Sequence, residues 1–226
     1  MSAHVDAPAL AAPAATATGL PSRKLAVWLF LGSEILFFSA LIFSYIVLRM
    51  TSPLPTPADP NPVGMWPTPH EIQHILNIPL TALNTFLLIV SSVSVVMALD
   101  AVQKGNKKAL TRWLGVTLVL GITFLSIQGY EYVKLEDHGL WFNRLPDELG
   151  PQHLNRNVLM ATTFFAMTGF HGMHVLAGVI MLLIFFVKAK LGLYTQSDHE
   201  GIELFGLYWH FVDLVWIILF TIVYLL

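Results

Sequence analysis

The chain has 226 residues, 55% of them hydrophobic and 12% charged, with a mean hydropathy of +0.67, and a soluble domain of this length carries about twice that share of charge. A formal net charge of -2 with no basic tract argues against a nucleic-acid partner. The absence of cysteine excludes disulfides, thiolate metal sites, a dithiolate copper centre and covalent c-type haem attachment.

Residues 1–24 are rich in Ala, Pro and Thr, with neither a basic leader nor a short apolar core. They are expected to form a disordered tail ahead of a retained first helix. Residues 25–226 then read as one all-α integral membrane domain. Five segments are long and apolar enough to span a bilayer, at about 25–48, 78–99, 112–133, 157–187 and 203–226.

The first connection, about 49–77, carries seven prolines, from Pro53 to Pro69, and cannot be a continuous helix. It contains His70-Glu71-Ile72-Gln73-His74, a match to H-E-x-x-H. That motif holds zinc only on a helix and with a third ligand. Pro67, Pro69 and Pro79 crowd it, and no third ligand stands at a recognisable spacing, so no metal site is expected. The second connection, Gln103 to Lys108, is short and basic. The third, about 134–156, mixes charges with aromatics, and the fourth, Ala189 to Gly201, is short and polar.

Orientation follows from Lys and Arg. Arg23, Lys24, Lys104, Lys107, Lys108, Arg112, Lys188 and Lys190 fall on one side, and Arg49, Lys134, Arg144 and Arg156 on the other. The bias predicts a cytoplasmic N-terminus and a periplasmic C-terminus, in a multi-pass protein of a bacterial plasma (inner) membrane. Trp28, Trp66, Trp113 and Trp141 lie near helix ends, as interfacial anchors would.

An ionisable side chain at mid-membrane is costly unless paired or neutral, so each is a functional candidate. Helix one carries Glu34, about 15 Å from Lys24 along the axis. Helix four carries His171 and His174, three apart and read as one face. Helix five carries His210 and Asp213, also three apart. All five fall near the bilayer centre. Glu34 is expected either to meet an imidazole from another helix or to stay protonated among Phe30, Leu31, Phe37 and Phe38. Gln128 and Glu131, at the end of helix three, read as structural or interface residues, with Glu131 able to snorkel outward. Arg49, Arg112 and Arg156 are candidates for phospholipid headgroups because they stand at helix ends. Gly169, Gly172, Ala177 and Gly178 offer close helix approach.

The segments around these residues resemble subunit III of the haem–copper terminal oxidases. Helix one reads Gly32-Ser33-Glu34-Ile35-Leu36-Phe37-Phe38, and helix two carries Leu83-Asn84-Thr85 followed by Ser91-Ser92-Val93-Ser94. Helix three ends Gln128-Gly129-Tyr130-Glu131-Tyr132, and helix four contains Thr168-Gly169-Phe170-His171-Gly172-Met173-His174-Val175. Helix five carries Tyr208-Trp209-His210-Phe211-Val212-Asp213-Leu214-Val215-Trp216. The resemblance runs in order over every predicted helix and is to the five-helix bacterial form. Ala98-Leu99-Asp100 departs from the animal pattern at the end of helix two.

The resemblance implies an accessory subunit of an oxygen-reducing complex, with no catalytic residue or redox centre of its own. Haem and copper would lie in partner subunits, with subunits I and II as neighbours and phospholipid bound. It gives Glu34 the place of a buried, carbodiimide-reactive carboxylate that supports proton uptake, resistance to turnover-linked inactivation and lipid or oxygen access to subunit I. The competing reading is a free-standing proton or cation transporter or channel working through Glu34 and Asp213. That reading calls for internal repeats or broken helices, and the sequence shows no repeat.

Overall fold

The computed structural model describes residues 21–53, 56, 57, 66, 76–137 and 151–225, with side chains from 160 onward in the last stretch. The proposed tail, the H-E-x-x-H string and Trp141 therefore lie outside the described residues, residues 21–24 apart. Among the described residues five α-helices form: α1 (Ser22–Met50), α2 (Ile78–Gln103), α3 (Lys107–Asp137), α4 (Pro151–Lys190) and α5 (Glu200–Phe220). Each contains a window apolar and long enough to cross a bilayer. The chain is an all-helical, multi-pass membrane protein.

The helices overrun the apolar segments because polar residues shape their ends. Asn77 Oδ1 accepts from the Leu80 N–H at 3.2 Å and Pro79 stands in the first turn, so α2 starts cleanly. Between α2 and α3 the chain reverses in three residues. Gly105 takes φ +71°, a left-handed geometry suited to glycine, and Asn106 Oδ1 caps α3 through the Ala109 N–H at 3.0 Å. The resulting antiparallel pair, α2 with α3, is the most extensive helix contact of the bundle.

α5 packs between α2 on one side and α4 and α1 on the other. Its seam with α2 is laced by hydrogen bonds. Trp209 Nε1 donates to Ser91 Oγ at 2.9 Å, and two turns on, Trp216 Nε1 donates to Thr85 Oγ1 at 2.9 Å. In lipid, where apolar contact alone gives little net drive, such bonds and tight packing hold helices together. Two apolar clusters result. One, around Leu114, Phe124, Val175, Trp209 and Trp216, fills the half nearest the α2–α3 turn and extends to mid-bundle. The other, around Tyr45, Phe164, Leu219 and Tyr224, fills the opposite half.

α1 is peripheral. Only Phe38 and Tyr45 are buried along it, and it meets α4 and α5. At its start, Lys24 pairs with Glu203 at 2.7 Å and Arg23 reaches Glu200 at 3.8 Å, both acids lying in the first turn of α5. The interfacial tryptophans divide. Trp28 is exposed, as an anchor should be, but Trp66 is buried edge-on against Tyr45 with ring centroids 5.1 Å apart. Trp66 is therefore a packing residue and not an exposed anchor.

Glycine placement makes the close approaches. A Cβ on Gly178 would stand 2.7 Å from Trp209 Cζ3, and one on Gly121 would stand 3.0 Å from Trp209 Cη2. The indole thus lies in a slot cut by one glycine on α4 and one on α3. Gly172 likewise makes room for the amide of Gln128, whose Oε1 lies 2.9 Å from where its Cβ would be. Ala177, expected at a contact, is exposed.

Candidate functional site

The ionisable groups within the apolar helices gather into distinct places. On α1, Glu34 turns toward α4, and its Oε2 lies 3.1 Å from His174 Nε2. The other ring nitrogen of His174, Nδ1, is 2.8 Å from the Phe170 carbonyl. A carbonyl only accepts, so Nδ1 carries hydrogen and donates. His174 Nε2 then has two options: it accepts from a protonated Glu34, or it donates as an imidazolium to a carboxylate. Rings enclose the pair: Phe38 edge-on to His174 at 5.2 Å, and Phe37 edge-on to Phe170 at 5.1 Å. Tyr208 Oη donates to the His174 carbonyl at 2.9 Å and fixes this turn of α4 against α5. The carboxyl and imidazole remain partly accessible, because α1 lies at the edge of the bundle.

His171 goes elsewhere. It is fully buried, stacked on Trp216 with centroids 4.8 Å apart and edge-on to Phe124 at 5.9 Å. Among the described residues neither ring nitrogen has a hydrogen-bond partner. The expectation of one shared face for His171 and His174 is corrected here. Three residues turn a helix about 300°, which leaves the two side chains about 60° apart. On a helix wedged between neighbours, that angle sends one into the α3–α5 core and the other to α1.

His210 meets α2 through Ser92. Ser92 Oγ is 2.9 Å from His210 Nδ1, while Oδ1 of Asp213 has no hydrogen-bond partner among the described residues. Serine, histidine and aspartate together invite comparison with a nucleophilic triad. Here, however, no hydrogen bond joins Asp213 to the imidazole among the described residues, whereas a triad places the carboxylate on the far nitrogen of the imidazole. The arrangement links helices.

Gln128 and Glu131 bind α3 to its neighbours. Gln128 Nε2 donates to the Thr168 carbonyl at 2.9 Å, and Tyr132 Oη donates to Thr168 Oγ1 at 2.7 Å. Glu131 is buried and does not snorkel: Thr81 Oγ1 donates to its Oε1 at 2.7 Å, and the buried Tyr224 stands near it. Tyr224 belongs to the π-helical turn Thr221–Leu225 that prolongs α5.

Arg49 stands in the last turn of α1 and Arg112 on the exposed face of α3, while the side chain of Arg156 is outside the described residues. No cluster of three or more His, Cys, Asp or Glu able to hold a metal occurs among the described residues. The partners that sequence reasoning missed are Ser92, Thr81, Thr168, Tyr132 and Tyr208. Their signal is hydroxyl groups inside apolar spans, which must find an acceptor in the bundle.

With five helices long and apolar enough to cross a bilayer, a carboxyl–imidazole pair at the bundle edge and hydrogen-bonded polar side chains in its interior, the chain is a multi-pass membrane protein. The family model for cytochrome c oxidase subunit III matches residues 13–137 and 154–226. Curated relatives agree. Cytochrome c oxidase subunit 3 of Synechocystis sp. is 35% identical over 205 residues, covering 90% of this chain and 76% of the relative. That of Thermostichus vulcanus is 34% identical, covering 90% and 87%. That of Alkalihalophilus pseudofirmus is 30% identical, covering 93% and 95%. The chain belongs to the cytochrome c oxidase subunit III family.

Proposed function

We propose that this chain is the third subunit of a haem–copper oxygen reductase in a bacterial plasma membrane. In this reading it is a part without a redox centre in a complex that reduces oxygen to water and translocates protons. Haem and copper belong to subunits I and II, its partners, and phospholipid fills the boundary between them. The observation that carries the reading is the family match, whose two stretches together take in all five membrane spans. The bias of Lys and Arg toward the N-tail and the second and fourth connections supports a cytoplasmic N-terminus and a periplasmic C-terminus. The described helices run through their spans unbroken, which gives the transporter alternative no support.

Glu34 and His174 are the residues through which the chain would assist subunit I. Their side chains meet at 3.1 Å, with Glu34 on the most exposed helix of the bundle, where a neighbouring subunit or the lipid boundary can reach them. Such a pair is neutral overall while it holds a proton between carboxyl and imidazole and carries one negative charge after releasing it, a charge that the partial exposure of the pair makes less costly than it would be deeper in the bundle. Glu34→Gln keeps the size and the hydrogen bond and removes the titration. In the assembled complex it is expected to slow proton uptake and to shorten the number of turnovers before inactivation severalfold, with assembly unchanged. Unaltered uptake and unaltered turnover lifetime would reduce the pair to a helix-to-helix link.

A further inference from the structure

The bundle holds α1 unevenly. From Ser22 to Phe37 none of its residues is buried, and a Cβ on Gly32 would meet nothing within 4 Å. The first buried side chain is Phe38, and Tyr45 follows. Glu34 stands ahead of both anchors, about 6 Å along the axis from Phe38, on the loosely packed half of the helix. Its 3.1 Å contact with His174 therefore depends on what keeps that half against α4 and α5.

Apolar contact there is slight. Phe30 stacks on Tyr208 with centroids 6.3 Å apart, and Leu31 packs on the core. The firm contacts stand at the helix start, about 15 Å along the axis from Glu34. Lys24 Nζ lies 2.7 Å from Glu203 Oε1, and Arg23 Nη1 lies 3.8 Å from Glu200 Oε2. The Lys24–Glu203 pair is the closer and the better sheltered, with side chains 30% and 35% exposed against 80% for Arg23.

Helix direction explains why the charges stand where they do. The contacts Lys24–Glu203, Phe30–Tyr208 and Phe38–Phe211 follow in the same order along both helices, so α1 and α5 run side by side in the same direction. Their first turns are adjacent and present like ends of two helix dipoles to each other. An acid in a first turn is favoured by its own helix, so Glu200 and Glu203 suit α5 without any partner. A cation in a first turn is disfavoured by its own helix, so Arg23 and Lys24 gain nothing from α1 and are offset by the acids of α5.

We infer that Lys24 and Glu203 are positioning residues, whose ion pair clamps the start of α1 onto α5 and so sets Glu34 against His174. Leverage links the two places. Measured from the anchor at Phe38, Glu34 is about 6 Å away and Lys24 about 21 Å. A release that lets Lys24 swing by about 3.5 Å carries Glu34 about 1 Å, which takes the contact with His174 out of hydrogen-bond range. The consequence for proton uptake rests on the role proposed above for Glu34, whereas the positioning is measurable without it.

The test uses the assembled protein in vesicles of its native membrane, with an apolar carbodiimide as the probe and the Glu34 adduct counted by peptide mass spectrometry. His174 covers one side of the carboxyl, so separating the two opens Glu34 to the reagent, and His174→Ala gives the rate for the open carboxyl. Glu203→Gln removes the pair at constant size. Lys24→Glu and Glu203→Lys each set like charges together, and Lys24→Glu/Glu203→Lys restores an opposite pair. Each single variant at Lys24 or Glu203 is expected to raise labelling about threefold, toward the His174→Ala rate, and the exchanged pair to return it to within about twofold of wild type. Should a charge-reversed chain fail to accumulate, Glu203→Gln decides by the same readout. Wild-type labelling in the single variants, or raised labelling that the exchanged pair does not restore, would overturn the inference. Labelling that follows the pair while proton uptake stays unchanged upholds the positioning and removes the proton role instead.

Discussion

Gly178→Leu is expected to destabilise the bundle by about 3 kcal/mol, the upper end of ordinary overpacking. The reason is the rigidity of what it meets. The first added carbon would fall 2.7 Å from Trp209 Cζ3 and 2.9 Å from Cε3. The indole cannot retreat: its nitrogen is tied to Ser91 on α2 at 2.9 Å, and its far edge already stands against Gly121 on α3. A flexible neighbour could yield a few tenths of an ångström, but a ring bound at three sides moves only with α5. Unfolding in mild detergent titrated with a denaturing detergent measures the change. Gly32→Ala and Gly129→Ala are the controls, since a Cβ at either position meets nothing within 4 Å. If Gly178→Leu behaves like those controls, the slot does not exist as described.

Trp209→Ala is the converse and is expected to cost about 3–5 kcal/mol. It empties the slot between α3 and α4 and leaves the Ser91 hydroxyl without its indole donor. The two substitutions should not add. In Gly178→Leu/Trp209→Ala the leucine enters space the indole has left, so the double variant should be more stable than the sum of the single losses by about 1–3 kcal/mol. Additive losses would mean that the residues act on different parts of the bundle.

The five spans were legible because a bilayer imposes a length and a polarity that few side chains satisfy. The helix ends were not, since α3 begins at Lys107 and α4 ends at Lys190, in polar sequence that a hydropathy reading assigns to loops. Position along the helix was legible too: Glu34, His171, His174, His210 and Asp213 each fall inside a helix apolar and long enough to cross a bilayer. Direction was not. A helix turns about 100° per residue, so a small error in how α4 faces its neighbours decides whether an imidazole meets Glu34 or Trp216. His174 took the first and His171 the second, and no spacing in α4 alone distinguishes them. Glu131 shows the same limit. From sequence it could reach outward, whereas in the bundle it is buried and Thr81 of α2 donates a hydrogen bond to it.

We propose that this chain works as one subunit of a haem-bearing oxidase and carries no haem itself. Its most direct test is to capture the chain from its native membrane in mild detergent and record a reduced-minus-oxidised difference spectrum. The account predicts haem bands in the captured material, with a large catalytic subunit present in near-equal amount. A colourless chain that comes out alone under the same gentle conditions would contradict it.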